Sequence, residues 1–191
     1  MDAYRALGIK KGSVMLDLRS AAPEVSAVIA QHAGGPERLR PHVAGRWGRA
    51  ALAYWEHLCG GRRFPRHSDF NPMVLRAALP FVCLVEPVPG GRFRYRVVGS
   101  TLSEFLGGGN HAGRTVDEVF TANPEFAVAP YRQVCAEACL HMHTASAEWI
   151  HEDRAYLHYS FLLLPMGDSG THVERILGVA DFVPAEMARA R

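Results

Sequence analysis

Two blocks of strand-forming sequence, separated by helical segments, constrain the fold of this chain more than any other feature. The first block consists of FVCLVEPV and RFRYRVVG, which are joined by the short loop Pro89-Gly90-Gly91. A glycine-rich loop of this length between two strand patterns predicts an antiparallel hairpin. In the second strand Phe93, Tyr95 and Val97 alternate with arginines, which predicts a half-buried strand with a cationic outer face.

The sequence between the blocks is helical in pattern. STLSEFL and TVDEVF are short helical segments, and a longer helix is predicted through NPEFAVAPYRQVCAEACL, with Asn123 and Pro124 at its start and a kink or break at Pro130. Three further strands follow in HMHTASAEWI, AYLHYSFLLLP and VERILGVADFV. This order predicts an α+β fold with an antiparallel sheet of about five strands and a helical cluster over one face.

The region before the first block contains two helix predictions. A short helix is predicted through AAPEVSAVIAQHA, and a second, with a broad apolar face, from Val43 to Leu58. We therefore divide the chain into a partly helical N-terminal arm (1–42), one domain (43–183) and a short tail (184–191). The apolar arm and the second helix predict a homodimer.

Composition excludes several classes of function. The chain has 191 residues and a formal net charge of +2, which is too small to predict a nucleic acid or an acidic membrane surface as partner. Its four cysteines are scattered through apolar stretches and predict reduced, buried thiols rather than a disulfide framework. We find no signal peptide and no apolar run long enough to span a bilayer, and therefore expect a cytoplasmic protein.

Three motifs resemble a branch of bacterial PAS-domain proteins. The first is a helix ending in Trp-x-x-Leu that leads into a Gly-Gly-Arg…Pro…Asp…Pro connector, the second is a Phe-Arg-Tyr-Arg-x-x-Gly strand, and the third is a Gly-Arg…Asp-Glu turn into a helix. In this chain they correspond to Trp55, Leu58, Gly60, Gly61, Arg62, Pro65, Asp69 and Pro72, to residues 93–99, and to Gly113, Arg114, Asp117 and Glu118.

The resemblance covers roughly residues 46–183 and implies a PAS fold and a sensory or regulatory role. His67 departs from the branch, which usually has an arginine two residues after the connector proline. Because Arg62 and Asp69 both belong to the motif, we expect them to contact each other. Little sequence follows the last strand, so we expect a stand-alone module that signals through another protein or through its own dimerisation.

A PAS domain binds its ligand, when it has one, between the sheet and the overlying helices. Such a site would be a concave, mostly apolar cavity with a few polar groups. The alternative is that the same side chains only fill the core, in which case the protein would be a ligand-free interaction adaptor. The predicted ligand-binding residues are Cys83, Phe93, Tyr95, Leu102, Phe105, Phe120, Trp149 and Tyr159.

The cofactor is unknown from the sequence. Flavin-binding light sensors of this fold carry an Asn-Cys-Arg motif that this chain lacks, and haem-binding relatives use a histidine on the long helix, where none occurs before its end. Cys135, Cys139, His141 and His143 form the sharpest metal-like pattern, because thiolates and imidazoles suit zinc. Their spacing matches no zinc motif, so the main interpretation is two buried thiols and two ordinary histidines.

The connector carries the most basic stretch of the chain. Arg62, Arg66 and His67 are candidates to contact an anion or a protein partner, although such a run is more often solvated or bound to its own domain. No Gly-x-Ser-x-Gly or His-Glu-x-x-His motif occurs. The sequence therefore predicts a protein that is not an enzyme.

Overall fold

The computed structural model describes residues 28–147 and 157–184. The helices are α1 (Pro36–Leu39), α2 (Arg46–Cys59), α3 (Ser100–Phe105), α4 (Val116–Val119) and α5 (Pro124–Glu137). The strands are β1 (Val28–Gly34), β2 (Val82–Val88), β3 (Arg92–Val98), β4 (Leu140–Ser146), β5 (Leu157–Met166) and β6 (Arg175–Pro184). They form one six-stranded sheet in the order β1-β4-β5-β6-β2-β3. All neighbouring strands are antiparallel, which confirms the predicted α+β class.

The sixth strand corrects the helix prediction through AAPEVSAVIAQHA. Residues 28–34 form β1, an edge strand that pairs with β4 from Val28↔Ala145 to Gly34↔Leu140. A short apolar run that includes Val28 and Ile29 is compatible with a helix or a strand. Pairing with β4 selects the strand conformation. The rest of the predicted helix, and most of the predicted arm, lie outside the described residues.

Helices lie on both faces of the sheet: α3–α5 form the predicted cluster over one face, and the N-terminal helix α2 lies against the other. Helix α2 lies against Leu162 and Asp181, while Phe161 and Ala180 face the α3–α5 side. Because neighbouring residues of a strand point to opposite faces, these two sets define the two sides. The buried residues of α2 pack against its own chain. Dimerisation through this helix stays a prediction.

The N-terminus of α2 is bound to the sheet through a buried carboxylate. Its N-cap residue, Gly45, has no side chain to satisfy the first backbone N–H groups. Instead Trp47 N donates to Asp181 Oδ1 at 3.1 Å and Gly48 N donates to Asp181 Oδ2 at 2.7 Å. A Cβ at Gly45 would lie 1.9 Å from Asp181 Cγ, so only glycine allows this approach. Trp55 holds the other end of the helix, where its Nε1 donates to Pro165 O at 2.7 Å.

The hairpin of β2 and β3 follows the prediction except at Val97. Phe93 and Tyr95 are buried, but Val97 is 53% exposed. The register shifts between Leu84 and Val85, where Leu84 pairs with Val97 and Val85 with Tyr95. This bulge adds one residue to β3 and reverses the facing of the strand beyond it. Simple alternation therefore fails at the last part of the strand.

The arginine face of β3 is neutralised by carboxylates. Glu86 is buried and accepts from Arg94 Nη2 at 2.6 Å, and Arg175 and Arg96 lie at 3.1 and 3.6 Å from its oxygens. Burial alone would raise the pKa of Glu86, but the hydrogen bond from Arg94 and the three positive charges outweigh it and hold the pKa below its ordinary value. The predicted cationic face is therefore largely paired within the chain.

Across the described residues, no helix combines the length and the apolar character that crossing a bilayer would require.

Candidate ligand site

A cavity of about 130 Å³ lies between the sheet and the helices α3 and α5. Its walls are mostly aromatic and aliphatic, and no lysine, arginine, aspartate or glutamate lines it. The lining residues are Gln31, Tyr95, Leu102, Phe105, Leu106, Phe120, Phe126, Ala127, Ala129, Pro130, Tyr131, His141, His143, Tyr159, Phe161 and Ala180.

Helix α5 supplies one wall through residues spaced four apart. Phe126 and Pro130 form one such pair, and Ala127 and Tyr131 form another, so both pairs lie along one face of the helix. The helix continues through Pro130, which places the proline ring on the cavity wall. The sequence analysis missed this wall, although the i, i+4 spacing of apolar residues was a signal that could have found it.

Five of the predicted ligand-binding residues line this cavity, namely Tyr95, Leu102, Phe105, Phe120 and Tyr159. Their role in binding a ligand stays a prediction. Cys83 and Phe93 are buried but lie outside the lining. Trp149 lies outside the described residues.

Behind one wall, Tyr131 connects the cavity to Cys83. The side chain of Tyr131 is hydrogen-bonded to both Tyr95 and Cys83, and Phe93 packs on its ring with centroids 5.4 Å apart. Burial raises the pKa of the Cys83 thiol to about 12 and raises the pKa values of both tyrosines. These groups are therefore neutral, and their polar atoms already pair with one another.

His141 is the most buried polar residue of the lining, with 0% of its surface exposed. Its Nδ1 lies 3.1 Å from Gln133 Oε1, whereas its Nε2 is buried and has no hydrogen-bond partner among the described residues. Burial lowers the pKa of His141 to about 4, with only a small opposing effect from Glu137. The ring is therefore neutral in ordinary buffers.

His143 lies two residues further along β4, on the same face. Its ring centroid is 5.6 Å from that of His141 and 5.7 Å from that of Tyr159. Its Nδ1 is also buried and unpaired in the described part of the chain, and burial lowers the pKa of His143 to about 3, helped by His141. The two histidines thus bring unpaired nitrogen atoms to a mostly apolar cavity.

The structure does not bring the proposed metal ligands together. Cys135, Cys139, His141 and His143 form no group whose ligand atoms lie within 4.8 Å of one another; in the described ranges that distance groups His67, Asp168 and Glu174 instead. Cys139 Sγ lies 3.6 Å from a Glu137 oxygen, and burial raises the pKa of Cys135 to about 11. The zinc hypothesis therefore has no assembled site here.

The basic connector makes contacts within its own chain. Arg62 Nη2 donates to Asp69 Oδ2 at 3.1 Å, which confirms the expected contact, and also to Leu58 O at 2.7 Å. His67 Nδ1 lies 2.8 Å from Asp168 Oδ2 in the loop between β5 and β6. Arg66 is exposed. Contact with an anion or a partner through these residues stays a prediction.

Comparison with known proteins agrees with this architecture. A search of curated proteins gives no significant match. The family model described as "PAS domain" matches residues 45–181, which is most of the chain. This match, together with the antiparallel sheet and its overlying helices, shows that the chain belongs to the PAS-domain family.

Proposed function

We propose that this protein is a sensory or regulatory PAS-domain protein that binds an uncharged small molecule in the cavity between the sheet and α5. The observation that carries the proposal is the cavity itself, which is lined mostly by aromatic and aliphatic side chains and contains unpaired histidine nitrogens. Concave, mostly apolar sites with a few polar groups are the usual form of small-molecule sites. Membership of the PAS family supports the sensory role.

The size of the cavity limits what it can hold. An engineered cavity of about 150 Å³ lined by apolar side chains holds one benzene molecule, and this cavity is of similar size at about 130 Å³. A single ring fits such a volume, whereas the three fused rings of a flavin or the macrocycle of haem do not. We therefore propose neither cofactor.

The ligand-free adaptor is the alternative. Because an adaptor binds no ligand, its interior between the helices and the sheet would be fully packed by its own side chains. The cavity favours the sensor over the adaptor.

Ligand binding would be transmitted to the protein surface through the secondary-structure elements that line the cavity. Gln31 of the edge strand β1 lines the cavity, and among the described strands β1 pairs with β4 alone, which carries both histidines. A ligand that binds one arrangement of β1 more tightly would shift the protein toward that arrangement by its differential affinity. A partner protein, or a second copy of the chain, would then recognise the change.

The proposal is tested by native mass spectrometry of freshly purified protein, with released compounds identified after denaturation. We expect a stoichiometric adduct. In the Ala127→Phe variant the new ring would occupy the cavity, so the adduct should be lost. In the control Ala136→Phe, at an exposed position of the same helix, it should remain. An adduct retained by both variants would place the ligand elsewhere, and bare polypeptide in all three proteins would favour the adaptor.

A further inference from the structure

The hydrogen bonds around Gln133 fix the tautomer of His141. Gln133 Nε2 lies 3.3 Å from Glu137 Oε1, and a carboxylate can only accept, so the amide nitrogen faces Glu137. The amide oxygen therefore faces His141, where it lies 3.1 Å from Nδ1. Because an amide oxygen can only accept, Nδ1 carries the proton. The other nitrogen, Nε2, is then an unprotonated acceptor.

An unpaired acceptor at this position lowers the stability of the ligand-free protein. Nε2 of His141 is buried at the cavity wall without a partner, and a buried polar atom without a hydrogen bond destabilises the fold. The hydroxyl groups of Tyr95 and Tyr131 belong to the network with Cys83. No donor among the described residues pairs with Nε2, so a ligand or an ordered water inside the cavity would supply one.

The walls define the rest of that molecule. Aromatic rings surround the cavity, so a flat aromatic ring would find stacked and edge-to-face neighbours. The neutral imidazoles and the absence of charged lining residues make a carboxylate or an ammonium group costly there. The volume of about 130 Å³ admits one ring.

We propose that the cavity selects an uncharged, single-ring aromatic alcohol of the phenol class, whose hydroxyl group donates a hydrogen bond to Nε2 of His141. This inference rests on the proposed function, since it specifies the ligand of the same cavity. His143, with its own unpaired Nδ1 on the same face of β4, provides a second polar neighbour for the hydroxyl oxygen or for an ordered water.

Phenol and toluene are matched probes, because they differ only in a hydroxyl group in place of a methyl group. Their dissociation constants are measured by NMR titration on the full chain, for wild type and for His141→Phe. In wild type the hydrogen bond should favour phenol, and the ratio of the toluene constant to the phenol constant should fall by roughly 2- to 10-fold in His141→Phe. Ala127→Phe should weaken the binding of both probes.

The outcomes separate the two proposals. If both probes bind wild type, Ala127→Phe weakens both and the ratio is unchanged in His141→Phe, the cavity binds ligands but the phenol inference is wrong. If neither probe binds wild type, the phenol inference fails, and the adduct in native mass spectrometry alone decides the proposed function. If both probes bind and Ala127→Phe has no effect, they bind elsewhere and both proposals fail. Should His141→Phe not fold, the long-range ¹H–¹⁵N spectrum of wild type decides. We expect phenol, but not toluene, to shift the Nε2 resonance of His141, and no shift would overturn the inference.

Discussion

Burial of His141 should make the stability of this protein depend on pH above the range in which carboxylates titrate. The ordinary pKa of a histidine is 6.5, and burial lowers that of His141 to about 4 in the folded state. The unfolded chain therefore takes up a proton at His141 as the pH falls below 6.5, while the folded chain does not. The stabilisation is complete above pH 6.5 and is lost progressively as the pH falls toward 4.

The size of the stability change follows from the ordinary pKa of 6.5 and the folded-state pKa of about 4. Each unit of separation between the folded and unfolded pKa corresponds to about 1.4 kcal/mol when the full range is titrated. Between pH 7 and pH 5 the linkage relation gives a loss of about 2 kcal/mol from His141 alone. His111 and His143 are further histidines whose pKa burial lowers, so the total loss for wild type is larger. The contribution of His141 is obtained by comparing wild type with a variant.

The assay is urea unfolding followed by tryptophan fluorescence at pH 7, 6 and 5, for wild type and for His141→Phe. The difference in the free energy of unfolding between the two proteins should change by about 2 kcal/mol from pH 7 to pH 5 in favour of the variant. His57→Gln is the matched control, because His57 is exposed on α2, and it should follow wild type. Parallel pH curves for wild type and His141→Phe would refute the reasoning, since His141 would then titrate alike in both states.

Two further predictions concern the scaffold. Gly45→Ala should lower the free energy of unfolding by at least about 2 kcal/mol. The added Cβ would collide with the carboxylate of Asp181, which accepts from the first N–H groups of α2. A loss below about 0.5 kcal/mol in urea unfolding would contradict the geometry. Glu86→Gln should lower the free energy of unfolding by about 1–3 kcal/mol at pH 7, because the buried carboxylate pairs with three arginines. Since the folded pKa of Glu86 is depressed, its contribution is present above pH 4.5 and lost below it, so the gap between wild type and Glu86→Gln should close in acid.

Local sequence signals predicted most elements of the fold. Pro89-Gly90-Gly91 predicted the hairpin, and the structure turns at the same place, with Gly90 and Gly91 at φ of 83° and 69°. Thr115 was predicted to begin the helix α4, and it forms a capping box with Glu118. In these cases a few neighbouring residues determine the local backbone conformation, so it can be predicted from the sequence.

Predictions failed where distant parts of the chain determine the structure. The β1 segment is a strand because β4 lies beside it, and β4 is more than a hundred residues away. The bulge at Leu84 and Val85 exposes Val97, and no turn residue marks it. The candidate site shows the same limit: Cys83 was predicted to be a ligand-binding residue, but it lies behind Tyr131, and the facing of a strand is not fixed by its local sequence.

The motifs from which the PAS resemblance was predicted explain the scaffold rather than the cavity. Trp55 bonds to Pro165 O, and Arg62 pairs with Asp69. Gly99 ends the β3 motif where a Cβ would lie 2.0 Å from Leu79 O, so this close backbone approach requires glycine.

Of the motif residues, only Tyr95 lines the cavity. The remaining lining positions, including His141 and all of the α5 wall, lie outside these motifs. A scaffold fixed by one set of residues can therefore keep its fold while the cavity changes its ligand. For this reason family membership determines the architecture of this protein, whereas the identity of its ligand has to be argued from the unpaired nitrogen of His141 and the rings around it.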